Sequence, residues 1–243
     1  VPEKKTIWSL PIDRPTLYAA ANFRHHLMQG EIPIQGSVRI ITAPGSLPRP
    51  TAENTIAMVQ SPKLIEIVDY MMKRSDNHMA EQIYVAVSHG AMGKGSYSNS
   101  RRLEGDLLRR AQIDPAKVQA SDGSGLSETN RITPSDMCKL LNYMRHHQYA
   151  NQFYDSMAIS GRDGTLRRRM GSITGRVHAK TGTINRVKTL SGYIALADGK
   201  TLSFSFLVNR ISGGSPTPVH DRLCTTLAQL VLDATSSAVT AAQ

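Results

Sequence analysis

The hydrophobic pattern of this 243-residue chain changes its period once, near residue 157. Before that point apolar residues such as Leu64 and Val68 recur at helical spacing, and after it they alternate. The alternation predicts three strands, over 176–183, 189–197 and 201–209. Asp198-Gly199 is typical of a tight hairpin between the last two strands, and an amphipathic helix is predicted over 219–234. The predicted order is a set of helices, an antiparallel meander, and a last helix that can pack on the meander. This order predicts an α+β fold.

The part of the chain before this change is predicted to be largely helical. We expect helices from Pro15 to Gly30, from Ser61-Pro62 to a break near Ser75, from that break to Gly90, over 103–111, from Thr133 to about His147, and over 152–157. One strand is predicted over 37–42, and a flexible loop over 93–100. Three sheet strands covered by a helix on one face leave an edge or a face unprotected, so we expect that part of the fold is missing from this sequence.

The composition fits a soluble globular protein, with 40% hydrophobic and 20% charged residues. No apolar run approaches the roughly 18 residues that are needed to cross a bilayer, so no membrane span is expected. The N-terminal residues, from Val1 to Lys5, lack the apolar core of a signal peptide. An exported protein would therefore be represented here in a mature or truncated form.

The formal net charge is +10, and arginine clusters contribute much of it. The densest clusters are Arg101-Arg102, Arg109-Arg110 and Arg167-Arg168-Arg169. A basic nucleic-acid-binding protein is one interpretation, but no recognised nucleic-acid motif accompanies the charge, and we expect no nucleic-acid partner. A solvated cationic face is the simplest interpretation, and attraction to an acidic cell-envelope polymer is a third.

The string Ser75-Asp76-Asn77 falls at the predicted break between two helices. Side chains two residues apart can project there into one cleft, where a hydroxyl can relay a proton and a carboxamide can hold a substrate amide. The simpler alternative is that Ser75 caps the second helix, with the next two residues in its first turn. Taken alone, the tripeptide favours the simpler alternative.

The string Lys180-Thr181-Gly182-Thr183 ends a predicted strand. A lysine here can hold a substrate carboxylate together with the two threonine hydroxyls, and Gly182 lets a substrate backbone approach closely. The backbone N–H of Thr183 is a candidate oxyanion-hole donor. The simpler alternative is an ordinary strand end with a surface lysine.

In this order, the two strings are the second and third signatures of serine enzymes that acylate on penicillin and on D-alanyl-D-alanine peptides. The first signature, Ser-x-x-Lys, carries the nucleophile. No serine in this chain has a lysine three residues later. The sequence therefore holds most of such an active site without the atom that attacks.

Longer strings resemble the D-alanyl-D-alanine carboxypeptidase/endopeptidases, the class C low-molecular-mass penicillin-binding proteins of the serine peptidase type. They are Ala80-Glu81 after the first string, Ser121 to Ser127, Asn130 to Pro134, Gly161 to Leu166, His178 to Thr183, and Lys188 to Tyr193. The resemblance runs from about Ala21 to Leu232. A β-lactamase shares the two short strings, but the longer ones argue against that class.

The resemblance implies the C-terminal part of a penicillin-recognising, β-lactamase/transpeptidase-like domain, with an antiparallel sheet flanked by helices. It implies a periplasmic location and peptidoglycan stem peptides as partners, with no metal or organic cofactor. By motif matching, Ser75 would pass the proton to the leaving amine and Asn77 would orient the peptide. Lys180, Thr181 and Thr183 would hold the terminal carboxylate beside Gly182.

The resemblance covers the C-terminal half of the family only. Residues 1–50 would be the tail of an inserted domain and the return segment, and residues 51–243 the C-terminal portion of the catalytic domain. The predicted activity is cleavage of D-Ala-D-Ala ends or D-Ala-diaminopimelate cross-bridges through a serine acyl-enzyme, and it needs the N-terminal half. β-Lactams would bind only after completion. The alternative is a non-catalytic remnant that binds peptidoglycan peptides.

Overall fold

The computed structural model describes residues 12–41 and 50–230. The chain divides into two compact units, Val1–Gln60 and Ser61–Gln243. Whether the first 50 residues belong to an inserted domain stays a prediction. In the described ranges, no helix combines the length and the apolar character that a bilayer crossing requires.

The described part of the first unit contains one helix, α1 (Pro15–Gln29), which matches the first predicted helix and ends at Gly30. None of its residues is buried. The strand predicted over 37–42 is wrong for residues 37–41, which have no strand conformation, and Thr42 lies outside the described residues. A strand needs a hydrogen-bonded neighbour, and no described segment pairs with this one.

The second unit begins with helical segments and ends with a sheet and a last helix. The helices are α2 (Leu64–Arg74), α3 (Asn77–Met92), α4 (Tyr97–Arg110), α5 (Pro134–Arg145), α6 (Ala150–Ser156) and α7 (Thr217–Ala228). Short 3₁₀ turns lie at Pro115–Lys117, Gly164–Leu166 and Gly171–Ile173. The predicted helices are all present, and residues 231–234 of the last one lie outside the described residues.

Several predicted helix ends are wrong, and local capping explains them. Helix α2 begins after Lys63, so Ser61-Pro62 does not cap it. Helix α3 continues past Gly90 because the left-handed residue that ends it is Gly93. Helix α4 starts within the predicted loop 93–100, because the Ser96 side chain accepts a hydrogen bond from the backbone N–H of Asn99.

The sheet has four antiparallel strands in the order β1-β2-β3-β4. They are β1 (Ala158–Ile159), β2 (Val177–Ile184), β3 (Val187–Ala195) and β4 (Thr201–Val208). The three predicted strands are confirmed with ends shifted by one or two residues. Strand β1 was missed because two residues are too few for alternation to be visible.

Helices cover both faces of the sheet, so the prediction of a helix on one face only is wrong. On the rear face, Leu190, Ile194 and Phe204 form a core with Cys224 and Ala228 of α7. On the front face, Tyr193 packs against residues of α5 and α6. Both helices were predicted, but their apolar pattern does not show which face of the sheet they cover. The result is the α+β arrangement that was predicted, with an antiparallel sheet flanked by helices.

Candidate active site

The break between α2 and α3 places Ser75 at a sharp bend of the chain. Ser75 is the residue that ends α2, and its backbone is left-handed, with φ 56° and ψ 49°. Non-glycine residues are uncommon in this region, and those that adopt it cluster at functional sites. Asp76 caps α3, since its Oδ1 accepts a hydrogen bond of 2.9 Å from the N–H of Met79. The alternative that Ser75 caps the second helix is therefore wrong.

Lys180 brings the two short strings together. Its Nζ donates to Ser75 Oγ at 2.6 Å and to the backbone oxygen of Thr181 at 2.9 Å, although the two side chains are 105 residues apart in sequence. Burial lowers the pKa of Lys180. Among the described residues no carboxylate forms an ion pair with this ammonium group. A partly desolvated cation without an acidic partner is a suitable binding point for an anionic group.

Strand β2 leaves one of its edges open beside Lys180. Strand β1 pairs only with the first part of β2, through His178 and Ala179. The backbone oxygen of Val177 accepts a hydrogen bond from the N–H of Ser160, so the backbone groups of Val177 face the β1 side of β2. Backbone groups alternate between the two sides of a strand, so every second residue of β2 after Val177 faces this side as well. The backbone N–H and C=O of Thr181 and Thr183 therefore face an edge that no described strand occupies. An extended peptide can add to such an edge as a further strand.

The threonine and glycine of the second string have contacts within the chain. Thr181 Oγ1 donates to Thr165 Oγ1 at 2.9 Å, a contact that the sequence did not indicate. A Cβ on Gly182 would lie 2.4 Å from Thr189 Oγ1, so close packing inside the sheet is one reason for a glycine here. Thr183 is exposed.

Asn77 is the first residue of α3, and its side chain is exposed. It makes no side-chain hydrogen bond to a residue in the ranges 12–41 and 50–230. Ser75 and Lys180 are thus in direct contact, while Asn77 lies two residues after Ser75 and forms no hydrogen bond to either side chain in the described structure. The catalytic and binding roles of these residues remain predictions.

Glu81 links α3 to the loop formed by residues 121–130, and sequence reasoning gave it no role. Its carboxylate accepts hydrogen bonds from the N–H groups of Gly123 at 3.2 Å and Ser124 at 2.9 Å, and from Tyr97 Oη at 2.8 Å. Burial acts to raise the pKa of Glu81, but the hydrogen bonds from Ser124, Tyr97 and Gly123 outweigh it and lower the pKa. The signal available in the sequence was the Ala80-Glu81 pair one turn after Asn77.

The loop itself is organised by Asp122. Its carboxylate accepts from the N–H groups of Gly125 at 2.9 Å and Ser127 at 2.6 Å, and from Asn130 Nδ2 at 2.9 Å. This is the turn chemistry that aspartate typically supplies. The long string from Ser121 to Ser127 therefore has a structural explanation: it forms a self-bonded loop that Glu81 fixes to α3.

A family model described as the D-Ala-D-Ala carboxypeptidase 3 (S13) family matches residues 2–230 of this chain. The D-alanyl-D-alanine carboxypeptidase of Actinomadura sp. (strain R39) is 30% identical over 226 residues, which cover 90% of this chain and 41% of that protein. The match extends through both short strings.

Two solved structures show the same fold. Penicillin binding protein 4 (dacB) from Haemophilus influenzae, in complex with a novel β-lactam, superposes with a TM-score of 0.69 at 25% identity, covering 86% of this chain and 49% of that one. The TLA-3 extended-spectrum β-lactamase shares the fold at 16% identity, with a TM-score of 0.50 and coverage of 68% and 61%.

The chain spans less than half the length of the carboxypeptidase relative and of the penicillin-binding protein that it matches. The fold is that of penicillin-recognising proteins, as the resemblance implied. The family match covers nearly the whole chain, and the long strings that carried the resemblance lie within it. This chain belongs to the D-Ala-D-Ala carboxypeptidase 3 (S13) family.

Proposed function

We propose that this chain is the C-terminal portion of a peptidoglycan D,D-carboxypeptidase/D,D-endopeptidase, and that the N-terminal half, which carries the Ser-x-x-Lys nucleophile, completes it. The observation that carries the proposal is the contact of Lys180 Nζ with Ser75 Oγ, at 2.6 Å, beside the open edge of β2. The Ser75 hydroxyl can relay a proton, and the Lys180 ammonium group can bind a carboxylate. Both groups lie beside an edge to which an extended peptide can bind.

The need for a completing segment has three supports. No serine in this sequence is followed three residues later by a lysine. The chain corresponds to 41% of the length of the Actinomadura relative. Strand β4 lies at the end of the sheet, and its outer edge has no partner among the described strands. An unprotected edge strand is normally covered or paired in a finished fold.

In the completed site, the serine oxygen attacks the carbonyl carbon of the penultimate D-Ala and forms a tetrahedral intermediate. The C–N bond to the leaving residue then breaks, leaving an acyl-enzyme that water hydrolyses. Ser75 transfers the proton to the leaving amine, and Asn77 orients the peptide. Lys180, Thr181 and Thr183 bind the terminal carboxylate, and the Thr183 N–H stabilises the oxyanion.

The same assignment sets the location and the partners. The substrates are D-Ala-D-Ala stem peptides or D-Ala-diaminopimelate cross-bridges, in the periplasm, and β-lactams acylate the completed site. Each step uses side-chain and backbone groups, so the proposal requires no metal or organic cofactor. Nucleic acid has no place in it.

A second candidate function is non-catalytic binding of peptidoglycan peptides by this chain alone. Two observations favour it. The partly buried ammonium group of Lys180 forms no ion pair with a described carboxylate, and the sequence contains no Ser-x-x-Lys motif. Calorimetry with a D-Ala-D-Ala peptide separates the two functions. Binding by the chain alone, abolished by Lys180→Met and with no turnover after completion, would favour the binding function.

The test of the main proposal starts from the coding sequence upstream of this chain. We expect an in-frame Ser-x-x-Lys there, and co-expression of that segment with this chain should release D-Ala from a stem pentapeptide. Ser75→Ala and Lys180→Met should each reduce the rate by about 10²-fold or more, the usual effect of losing a proton-transfer group or an electrostatic contact. The exposed Lys94 provides the matched control, Lys94→Met, which should keep the full rate. Absence of an upstream Ser-x-x-Lys, or equal rates in all variants, would contradict the proposal.

A further inference from the structure

The loop from Gly161 to Leu166 contacts the end of α2 through an ion pair. Lys73 Nζ lies 3.1 Å from Asp163 Oδ2. The other oxygen of Asp163 accepts a hydrogen bond of 2.8 Å from the N–H of Ile159, which fixes the carboxylate to β1. Lys73 stands two residues before Ser75, so this ion pair holds the last turn of the helix that carries Ser75.

The backbone of the loop also packs directly on α2. Gly164 has a positive φ of 55°, and a Cβ at this position would lie 2.7 Å from the Ala158 Cβ and 3.2 Å from the backbone oxygen of Lys73. A side chain would therefore separate the loop from both β1 and α2. Glycine is the residue that allows both the left-handed turn and the close approach.

The next residue of the loop contacts β2. Thr165 Oγ1 accepts a hydrogen bond from Thr181 Oγ1 at 2.9 Å. Thr181 follows Lys180 directly, and its backbone oxygen accepts a further bond from Lys180 Nζ. One short loop thus bonds to the residues that neighbour both members of the Ser75–Lys180 pair.

These contacts close a ring. It runs from Ser75 through Lys73, Asp163, Thr165, Thr181 and Lys180 back to Ser75. We propose that Lys73, Asp163 and Thr165 form a clamp that sets the separation of Ser75 Oγ and Lys180 Nζ. We assign them a positioning role, because they bond to residues that neighbour Ser75 and Lys180, and their part in the reaction rests on the proposed function above.

Lys73 keeps its positive charge, so its ion pair with Asp163 is maintained across the physiological pH range. Burial acts to lower the pKa of Lys73, but hydrogen bonds and charge interactions with Asp163 and Asp69 outweigh it and raise the pKa. Lys73 therefore stays protonated throughout the physiological range. Asp69 lies one turn earlier on the same helix, 3.1 Å from Lys73 Nζ, and has no bond to the loop. Substitution of Asp69 by asparagine therefore removes one carboxylate from Lys73 and leaves the ion pair of Lys73 with Asp163 in place.

The test uses variants whose direct charge effects differ. Lys73→Met removes a positive charge, Asp163→Asn removes a negative charge, and Thr165→Val removes only a hydroxyl group. Asp69→Asn and Thr165→Ser are the controls, because the first spares the clamp and the second keeps the hydroxyl. The readout is the pKa of Lys180, measured by NMR on the folded chain with selectively labelled lysine.

Opening of the clamp should expose Lys180 to water, and its pKa should rise toward the ordinary value of 10.5 in all three clamp variants. It should be unchanged in Asp69→Asn and Thr165→Ser. Shifts of opposite sign in Lys73→Met and Asp163→Asn would mean that charge, and not position, is responsible, and would overturn the clamp. No shift in Thr165→Val would overturn it too. If an ion-pair variant does not fold, the two Thr165 variants decide alone.

A second readout connects the clamp with the reaction. In the chain completed by its Ser-x-x-Lys segment, Thr165→Val should slow acylation by a labelled penicillin by about tenfold, as a displacement of a catalytic pair does. Thr165→Ser should restore the rate. If the completed wild type is not acylated, the proposed function fails, whereas the Lys180 measurement still decides whether the clamp exists. Normal acylation of Thr165→Val would show that the clamp has no part in the reaction.

Discussion

The sheet region and the first helix of this chain differ in how far their apolar residues are buried. In the sheet, Ile194 and Leu190 are fully buried, because the chain supplies both the strands and α7. In α1 no residue is buried, and Phe23 is 66% exposed. The apolar residues of the sheet region are therefore buried within their own unit, whereas those of α1 are not.

This difference agrees with the proposal that the nucleophile lies on another segment. The region that has a buried core carries the Ser75–Lys180 contact and the open edge of β2. If the proposed function holds, the completing segment would cover the exposed apolar residues of the first unit and the edge of β4, which has no partner among the described strands. If this difference in burial is real, substitutions of apolar residues should destabilise the sheet region more than α1.

The largest effect is expected in the rear core. Ile194→Ala should lower the free energy of unfolding by about 3 kcal/mol, because it leaves a cavity among residues that cannot easily collapse. Urea denaturation monitored by circular dichroism measures this loss. A loss below about 1 kcal/mol would mean that the sheet region is not well packed in the chain alone.

A smaller effect is expected on the front face. The hydroxyl of Tyr193 donates to the backbone oxygen of Leu141 at 2.6 Å and joins the sheet to α5. Tyr193→Phe should cost about 1–2 kcal/mol, because the buried oxygen loses its donor. Tyr149→Phe, at an exposed tyrosine, is the control and should be neutral. Equal stability of the two variants would remove this link between the layers.

The carboxylate of Glu81 should make the stability of the chain depend on pH. Its pKa is lowered in the folded chain, so the unfolded chain binds the proton more readily. The stabilisation is complete above the ordinary pKa of 4.5 and is lost as pH falls through the folded value. Glu81→Gln should flatten the fall in unfolding free energy below pH 4.5, whereas Glu66→Gln, at an exposed position, should keep it. An unchanged slope in Glu81→Gln would contradict the role of this carboxylate.

The smallest effect is expected in α1. Phe23→Ala should change the unfolding free energy of the chain by no more than about 0.5 kcal/mol, because the ring is mostly in solvent and alanine favours the helix. The same substitution in the completed protein should cost more if a further segment covers the ring. A loss near that of Ile194→Ala in the chain alone would abolish the contrast between the two regions.

Much of the fold could be predicted because it depends on local pattern. Alternation located three strands, and the break at Ser75 followed from the end of one apolar stripe and the start of the next. Strand β1 could not be found, since two residues carry no period. The start of α4 was missed because the capping side chain of Ser96 lies within a run of small polar residues that also suits a loop.

The site could be predicted only in part, for a similar reason. The two short strings named Ser75 and Lys180, and the structure places them in contact. The ion pair of Lys73 with Asp163 joins residues 90 positions apart in chain numbering, and such contacts leave no trace in spacing or composition. Glu81 likewise bonds to a loop some 40 residues further on.

The central claim is that this chain supplies the relay and binding groups of an acylating site whose nucleophile lies on another segment. The most direct measurement is the mass of each polypeptide after incubation with a labelled penicillin, for the chain alone and for the chain completed by its Ser-x-x-Lys segment. We predict no adduct on the chain alone, and in the completed protein one adduct, located on the added segment. A stable covalent adduct on this chain would contradict the account.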